Sequence, residues 1–238
     1  MKFSYAITGL AAAAGLLVAT PALADAVTLG AADIGTSFTL NYDGYSGSTA
    51  ISGLTGQTTF TLTGISGSTY TFDYSVLDTS SSPITGSRIS GFAFNTDPTI
   101  SGATSSGTYS YTNISANYPN QIGTVDVCFL GSNTGSCAGG GSGGVTQGSA
   151  AGTGSFQLTF SQPVSSLTLS DFYVRYQSIS GAGNITSASG SGTLTSSTSG
   201  GTPVPEPGML GLMAGGLVAL GMMRRRRGIT ARFSPAMA

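Results

Sequence analysis

The chain has 238 residues, of which only 7% are charged, against about 25% in an average soluble domain. Residues 25 to 203 hold two arginines and eight aspartates, a net charge of −6, and an acidic chain without a basic patch argues against nucleic-acid binding. Histidine is absent, which removes the commonest general base and metal ligand and argues against an enzyme. The 39% of hydrophobic residues occur in clusters, so we expect a folded domain.

Residues 1 to 24 have the pattern of a signal peptide. Lys2 supplies a positive start, an apolar run from Ala6 to Ala19 follows, and Pro21 precedes Ala22-Leu23-Ala24. Signal peptidase cuts after small-x-small patterns of this kind, which predicts an N-terminal signal helix, cleavage after Ala24 and export. The alternative is a membrane anchor, but the apolar run is shorter than the roughly 20 residues that a spanning helix needs.

Apolar residues alternate with Ser and Thr at period two through residues 25 to 194, and Gly, Ser, Asn and Asp bound the runs. This pattern is typical of half-buried strands, in which β-branched Thr favours the strand on the outer face. The predicted inner faces are Phe38, Leu40 and Tyr42; Phe60 and Leu62; Phe72, Tyr74 and Val76; Phe92 and Phe94; Val125, Val127 and Phe129; and Phe156, Leu158 and Phe160. Because no helical period occurs between them, we predict an all-β, antiparallel β-sandwich or jelly-roll-like domain.

One strand shows a change of parity. Its apolar positions are first odd and then even, namely Leu167, Leu169, Phe172, Val174 and Tyr176. Either the strand carries a bulge at Ser170-Asp171 or two strands meet there, and we favour the bulge. A bulge would re-aim Asp171 and Arg175 relative to the sheet.

The chain has two cysteines, Cys128 and Cys137, on either side of a turn-rich stretch. In an exported protein, an even cysteine count across such a stretch predicts a disulfide. The alternatives are two free thiols or a metal pair, and a metal pair lacks the histidine or third cysteine that would complete the site. The run from Gly139 to Gly144 is too flexible for a strand and is predicted to be a mobile loop.

The sequence offers no catalytic group with its partners. A nucleophilic Ser, Thr or Cys needs an adjacent base, so Gly135-Ser136 and Gly190-Ser191-Gly192 are interpreted as turn or linker residues. The aspartates are spread singly, with Asp43-Gly44 and Asp97-Pro98 in turn contexts. Calcium is the one plausible ion, but no Asp-x-Asp-x-Asp run is present. We therefore expect no catalytic residues, no metal site and no cofactor.

Tyrosine supplies much of the aromatic area in a chain without tryptophan. Five tyrosines lie in or near predicted turns, from which they can face solvent: Tyr42, Tyr45, Tyr109, Tyr111 and Tyr118. A tyrosine in such a place either stacks on a sugar or packs under a loop, and the second is commoner. The absence of tryptophan, the usual sugar platform, weakens a carbohydrate-binding interpretation without removing it.

The C-terminal residues form three ordered parts behind a breaker-rich linker, residues 195 to 203. The parts are Val204-Pro205-Glu206-Pro207, the apolar run Gly208 to Met223, and Arg224-Arg225-Arg226-Arg227. Sixteen helical residues span about 24 Å, slightly less than a bilayer core, and the arginines would hold their end in the cytoplasm. The sequence predicts a transmembrane helix within residues 204 to 227, an outside β domain and a cytoplasmic tail, residues 228 to 238. An ordinary single-pass anchor that is never cut is the alternative.

This arrangement of motif, apolar span and arginine cluster resembles the PEP-CTERM sorting signal that exosortases read. The resemblance covers Val204 to Arg227. It is specific because the motif has both its flanks, the apolar span and the arginines, and because a signal peptide precedes the domain. It implies an inner-membrane-anchored precursor, processing by an exosortase, and a final place at the cell surface or outside the cell. The setting it implies is the exopolysaccharide or biofilm matrix of a Gram-negative bacterium.

Most of residues 25 to 195 also resemble the "cistern" group of PEP-CTERM proteins. The resemblance rests on four segments: Asn41-Tyr42-Asp43-Gly44; Ile51-Ser52-Gly53-Leu54-Thr55-Gly56; Gly123-Thr124-Val125-Asp126-Val127-Cys128-Phe129; and Ser170-Asp171-Phe172-Tyr173-Val174-Arg175-Tyr176-Gln177. It implies one domain and no known activity.

We therefore expect a structural, non-catalytic protein of the cell surface or matrix. Its expected partners are signal peptidase, an exosortase, the membrane and matrix exopolysaccharide. Nucleic acid is not expected to be a partner. A carbohydrate-binding surface module with the same sorting tail is the alternative. A polysaccharide hydrolase that uses a pair of aspartates is a more distant third.

Overall fold

Twelve strands account for most of residues 25–198, the part of the chain that the computed structural model describes. They are β1 (Val27–Gly30), β2 (Ser37–Ser46), β3 (Thr49–Ser66), β4 (Thr69–Asp78), β5 (Gly86–Asp97), β6 (Gly102–Ser105), β7 (Tyr111–Tyr118), β8 (Gly123–Leu130), β9 (Val145–Thr146), β10 (Gly152–Thr159), β11 (Ser166–Ser180) and β12 (Ser187–Thr198). One 3-10 turn, Ala31–Asp33, follows β1, and this part of the chain holds no α-helix. All the strand pairs are antiparallel, which confirms the all-β, antiparallel part of the predicted fold.

Two hairpins show how local sequence sets these strands. The tetrapeptide Ser-Gly-Ser-Thr occurs twice, at residues 46–49 and 66–69, and each copy joins two strands through a two-residue loop. Gly47 and Gly67 occupy the left-handed region, with φ of 59° and 58°. Two-residue hairpin loops need positive φ, which glycine adopts without strain. The repeated tetrapeptide thus fixes the register of β2, β3 and β4.

The strands form one continuous sheet in the order β6-β10-β4-β3-β2-β12-β11-β5-β8-β7, with β1 added to β11 and β9 added to β5. Its two ends approach each other, since Ser105 Oγ of β6 lies 3.1 Å from Thr112 Oγ1 of β7. The sheet is therefore curled nearly into a barrel. The predicted sandwich has two separate sheets, whereas here β2, β12 and β11 connect the facing halves. Register shifts in β3, β11 and β12 bend the long strands and permit this curl.

Phenylalanine rings from both halves meet in the interior and form its core. Phe60 of β3 lies at ring-centroid distances of 5.4 Å from Phe38, 5.4 Å from Phe92 and 5.7 Å from Phe156. Phe94 and Phe172 complete the cluster around it, at 6.1 and 6.3 Å. All the predicted inner-face residues are buried. All of them except Val125, which lies in a smaller cluster beside the disulfide, belong to this core.

The predicted bulge in β11 is confirmed. The register of β11 against β5 shifts between Ser170 and Tyr173, and Asp171 has a φ of 52°. The apolar residues before and after this point are buried in the same core, as the parity change requires. Asp171 accepts a hydrogen bond of 3.0 Å from Asn95 Nδ2, which fixes the bulge to the neighbouring strand.

The last strand differs from prediction in two ways. It continues to Thr198 and so takes in the first four residues of the predicted linker, because backbone pairing with β2 extends to Ser37. Gly190-Ser191-Gly192, predicted to be turn or linker residues, lie in mid-strand. An added Cβ would lie 2.9 Å from Tyr176 at Gly190 and 2.8 Å from Tyr42 at Gly192. These glycines therefore make room for two buried rings rather than for a turn.

The described residues, 25–198, belong to one compact unit. The predicted signal peptide, the sorting signal with its transmembrane helix, and the cytoplasmic tail lie outside the described residues, as do Ala22, Ala24, residues 204–207 and the four arginines 224–227. Between residues 25 and 198, no helix has the length and apolar character that crossing a membrane requires.

Candidate functional site

The two cysteines are joined, as predicted. Cys128 of β8 and Cys137 form a disulfide with an S–S distance of 2.03 Å, and both side chains are fully buried. The bridge closes the first part of an irregular segment, residues 131–144, between β8 and β9. We call this segment the arginine-held loop for the reason that follows.

Both cations of the domain donate hydrogen bonds to this loop. Arg88 Nη2 and Nη1 donate to the carbonyl oxygens of Gly140 and Gly143, at 2.7 and 3.0 Å. Arg175 Nε donates to the carbonyl oxygen of Ala138 at 3.0 Å, and Gln177 Nε2 donates to the same oxygen at 2.8 Å. The predicted loop is thus present. The expectation that it is mobile was made without these hydrogen bonds, which tie the loop to β5 and β11. Because its carbonyl groups have no strand to pair with, the side chains of β5 and β11 satisfy them.

Glycines let the loop lie directly on the sheet. A Cβ added at Gly143 would lie 2.0 Å from the carbonyl oxygen of Gly131, and one at Gly144 would lie 2.1 Å from that of Ile89. Both residues also have positive φ, 72° and 86°. The glycine run therefore allows close backbone approach, and this approach brings the carbonyl oxygens within reach of the arginines.

The two arginines are buried charges that lack an ion-pair partner among the described residues. Arg88 and Arg175 are only 6% and 7% exposed, and the carbonyl dipoles of the loop take the place of a carboxylate. Burial lowers the pKa of Arg175, although the nearby Tyr118 hydroxyl opposes that shift. A buried guanidinium needs hydrogen-bond acceptors, so the loop stabilises the charges as much as the charges hold the loop.

The aspartates hold strands and turns together. Asp78 accepts hydrogen bonds from Ser87 Oγ at 2.7 Å and from the backbone N–H of Ser80. Asp126 accepts from the backbone N–H of Thr96 at 2.8 Å. Asp97 ends β5 at a turn, as predicted, whereas Asp43 lies within β2 beside a register shift and not in a turn. In residues 25–198, no three side chains of the His, Cys, Asp or Glu type lie together as a metal site would need.

The tyrosines are mostly internal. Of the five that were placed near turns, Tyr42, Tyr109 and Tyr118 are at most 1% exposed, while Tyr111 is 44% exposed. Tyr118 packs under the β7–β8 connection against Tyr173, with ring centroids 5.8 Å apart. Tyr42, within β2, and Tyr109 instead belong to the main core. The rings of all three are therefore packed inside the domain and cannot act as a sugar platform.

Burial of these phenols predicts a loss of stability at alkaline pH. Burial raises the pKa of Tyr118 and of Tyr176 well above the ordinary value near 10, because the charged form is disfavoured away from water. The folded protein then keeps protons that the unfolded chain releases. The free energy of unfolding should be intact below pH 10 and fall above it, by about 1.4 kcal/mol per pH unit for each such tyrosine.

Urea unfolding at pH 8, 9, 10 and 11 measures this, with tyrosinate absorbance recorded on the same samples. A free energy of unfolding that stays constant to pH 11 would show that the buried phenols titrate normally.

A polar depression of about 520 Å³ lies between the arginine-held loop and the ends of β5, β9 and β11. Its lining combines hydroxyl, amide and guanidinium groups with apolar atoms in similar proportion, and consists of Thr85, Gly86, Ser87, Arg88, Gly141, Thr146, Gln147 and Ser178. Two of these side chains carry a buried polar atom without a hydrogen-bond partner in the described part of the chain, Arg88 Nε and Gln147 Oε1. Among the described residues that line the depression there is no carboxylate, and Arg88 is the one charged side chain.

The outer face of β2, β3 and β4 is a second polar surface, made of paired hydroxyl groups. Ser37 Oγ lies 2.7 Å from Thr61 Oγ1, and Thr39 Oγ1 lies 2.9 Å from Thr59 Oγ1. These pairs lie directly across the strands and satisfy one another, which is the stabilising role of such contacts in sheets. They explain how a domain with few charges presents a hydrophilic exterior.

Comparison with known proteins identifies the tail. Residues 203–227 match the family model of the PEP-CTERM protein-sorting motif, which confirms the resemblance given for Val204 to Arg227. The motif implies an exported, membrane-anchored precursor that an exosortase processes. No curated protein and no solved structure matches the chain, and the resemblance to the "cistern" group stays a prediction.

Sequence reasoning missed the roles of Arg88, Arg175 and Gln147. The sequence identified the first two as the domain's only cations and placed Arg175 beside the predicted bulge, but it did not predict their contacts with the loop. A signal was available, since each arginine lies beside apolar strand residues and the chain also has a long glycine-rich loop whose carbonyl groups need donors. For Gln147 no signal exists in the sequence, because its role depends on how the loop returns to β5.

The disulfide should contribute substantially to stability. Its cysteines are nine positions apart, and the loop-entropy relation gives roughly 2–3 kcal/mol for a loop of this size. Replacing both cysteines with alanine should lower the free energy of unfolding by that amount and leave the β-sheet circular-dichroism signal in place. Chemical unfolding of both proteins, with alkylation confirming that the wild type has no free thiol, tests this. Equal stability of the two proteins would contradict it.

Proposed function

We propose that the protein is an exported structural component of the cell surface or extracellular matrix, sorted by an exosortase and without catalytic activity. The observation that carries the proposal is the PEP-CTERM protein-sorting motif at residues 203–227, which follows a disulfide-closed all-β domain. A disulfide persists in oxidising, extracytoplasmic surroundings, so the disulfide of the domain and the sorting motif of the tail both favour an exported protein. The matrix would be the exopolysaccharide or biofilm of the producing bacterium.

The route has two processing steps. Signal peptidase would cut after Ala24, and the apolar run within residues 204–227 would hold the precursor in the inner membrane by a transmembrane helix. The arginines 224–227 would keep the C-terminal tail in the cytoplasm. An exosortase would then act near Pro205-Glu206-Pro207 and free the domain from its anchor.

The non-catalytic part of the proposal is supported by how the acidic side chains are used. General acid–base chemistry needs carboxylates that are free to exchange protons with a substrate. Asp33, Asp78, Asp126 and Asp171 instead accept hydrogen bonds from groups of the domain. This favours a structural protein over a hydrolase with paired aspartates.

A carbohydrate-binding surface module is the second candidate, and the polar depression favours it. Its lining of hydroxyl and amide groups, with one unpaired donor and one unpaired acceptor, suits a ligand rich in hydroxyl groups. Carbohydrate binding is compatible with the same sorting route, because binding would concern the β domain and sorting concerns the C-terminal motif.

Fractionation tests the proposed location. The full chain would be produced in a host that contains the sorting protease and in a matched strain that lacks it. We expect the protein in the surface or matrix fraction of the first strain and in the inner membrane of the second. Equal membrane retention in both strains would contradict sorting, and recovery in the cytoplasm would contradict export.

A further inference from the structure

The polar depression beside the arginine-held loop holds a cation that its surroundings only partly satisfy. A guanidinium carries five N–H donors, and the Arg88 guanidinium uses two nitrogens, on the carbonyl oxygens of Gly140 and Gly143. Arg88 Nε has no partner, and the side chain forms no ion pair within residues 25–198. Asp78 lies one hydrogen bond behind Ser87, but it does not pair with Arg88. The depression is therefore suited to a negatively charged group.

Gln147 presents a fixed acceptor in the same depression. Its Nε2 donates to the carbonyl oxygens of Ser80 and Ile84, at 2.8 and 3.3 Å, and these contacts set the orientation of the amide. The Oε1 atom is then left buried without a partner. Both atoms are buried in the free protein, and a ligand that donates a hydrogen bond to Gln147 while an anionic group approaches Arg88 would satisfy them both.

We propose that this depression binds a carboxylated sugar, a uronate unit of an acidic polysaccharide. The carboxylate would pair with the Arg88 guanidinium, and ring hydroxyl groups would bond to Gln147 and to the hydroxyls of Thr146 and Ser178. A volume of about 520 Å³ lies in the range of roughly 300–1,000 Å³ for small-molecule sites. The one charged side chain among the described lining residues is Arg88, so the charge is wrong for a metal cation. The inference deepens the proposed matrix function and rests on it for the source of the ligand.

Gly141 allows a test that changes charge alone. It lines the depression, it has no atom within 4 Å of an added Cβ, and its φ is not positive. Gly141→Asp places a second carboxylate at the site, and Gly141→Asn has the same shape without the charge. Titration of the full chain in detergent with tetragalacturonate, and with neutral maltotetraose as the comparison probe, measures binding by calorimetry.

We expect tetragalacturonate to bind the wild type in preference to maltotetraose, with an affinity that falls as salt is added. Gly141→Asp should weaken binding about tenfold or more, because like charges repel at short range, while Gly141→Asn should stay near the wild-type value. Failure of tetragalacturonate to bind the wild type, or equal loss in both variants, would overturn the proposal. Acetate at the same carboxylate concentration should not compete with tetragalacturonate. Full competition by acetate would show that the depression binds simple anions and would also overturn the proposal. The sorting proposal is tested separately, by fractionation of cells. A failure of sorting can therefore be distinguished from a failure of this binding proposal.

Discussion

Replacing Phe60 with alanine is expected to lower the free energy of unfolding by about 3–5 kcal/mol, the range for removing a buried phenylalanine. The ring is fully buried and lies among Phe38, Phe92, Phe94, Phe156 and Phe172, which come from four other strands. Strands on both sides of the curled sheet pack against it, so the cavity has little room to collapse. Urea unfolding followed by circular dichroism measures the loss.

Ile114→Ala is the matched control for this change. Ile114 lies on β7 and is 43% exposed, so its truncation should alter stability by no more than about 0.5 kcal/mol. If Phe60→Ala and Ile114→Ala had similar effects, the assignment of Phe60 to the centre of the core would be wrong.

Replacing Pro205-Glu206-Pro207 with three alanines is expected to abolish processing by the exosortase and leave a membrane-retained product that keeps its C-terminal tail. Pro207 disfavours a helical conformation at Glu206, so the chain should reach the membrane surface extended and accessible to a protease. Three alanines would let the helix of the apolar run continue through the cleavage region. Arg224 to Arg227 would still stop translocation, so the product should stay in the membrane. Immunoblotting of membrane and released fractions measures the outcome in a host with the sorting protease.

The matched control replaces Ser199, Gly200 and Gly201 with alanine. It introduces the same number of alanines a few residues upstream and leaves the motif intact, so processing should continue as in the wild type. Efficient release of the motif variant would mean that the motif is incidental and that the tail is a plain anchor.

The strand faces, the bulge and the disulfide were predictable because each depends on a local rule. Alternation at period two places Phe60 and Leu62 on one face whatever the topology, and a parity change at Ser170-Asp171 requires an extra residue. Two cysteines leave one intramolecular pairing. The tail was predictable for a different reason, since its motif, apolar span and arginines are contiguous in sequence.

The continuous curled sheet, the end of β12 and the polar depression were not predictable, because each depends on contacts between distant residues. Thr198 continues a strand only because Ser37 is available to pair with it. The arginine-held loop needs Arg88 and Arg175 from two strands to meet carbonyl groups more than 35 residues away. In a chain rich in Ser, Thr and Gly, strand residues and linker residues have the same composition, so only pairing distinguishes them.

The domain of residues 25–198 is expected to reach its place by removal of both ends of the chain. Intact-mass measurement of the native protein, isolated from the surface or matrix fraction of a host with the sorting protease, tests this most directly. We predict a species that begins at Asp25, ends near Pro205-Glu206-Pro207 and carries the disulfide between Cys128 and Cys137. A mature protein that still contains the apolar run and the arginines 224–227 would contradict the account.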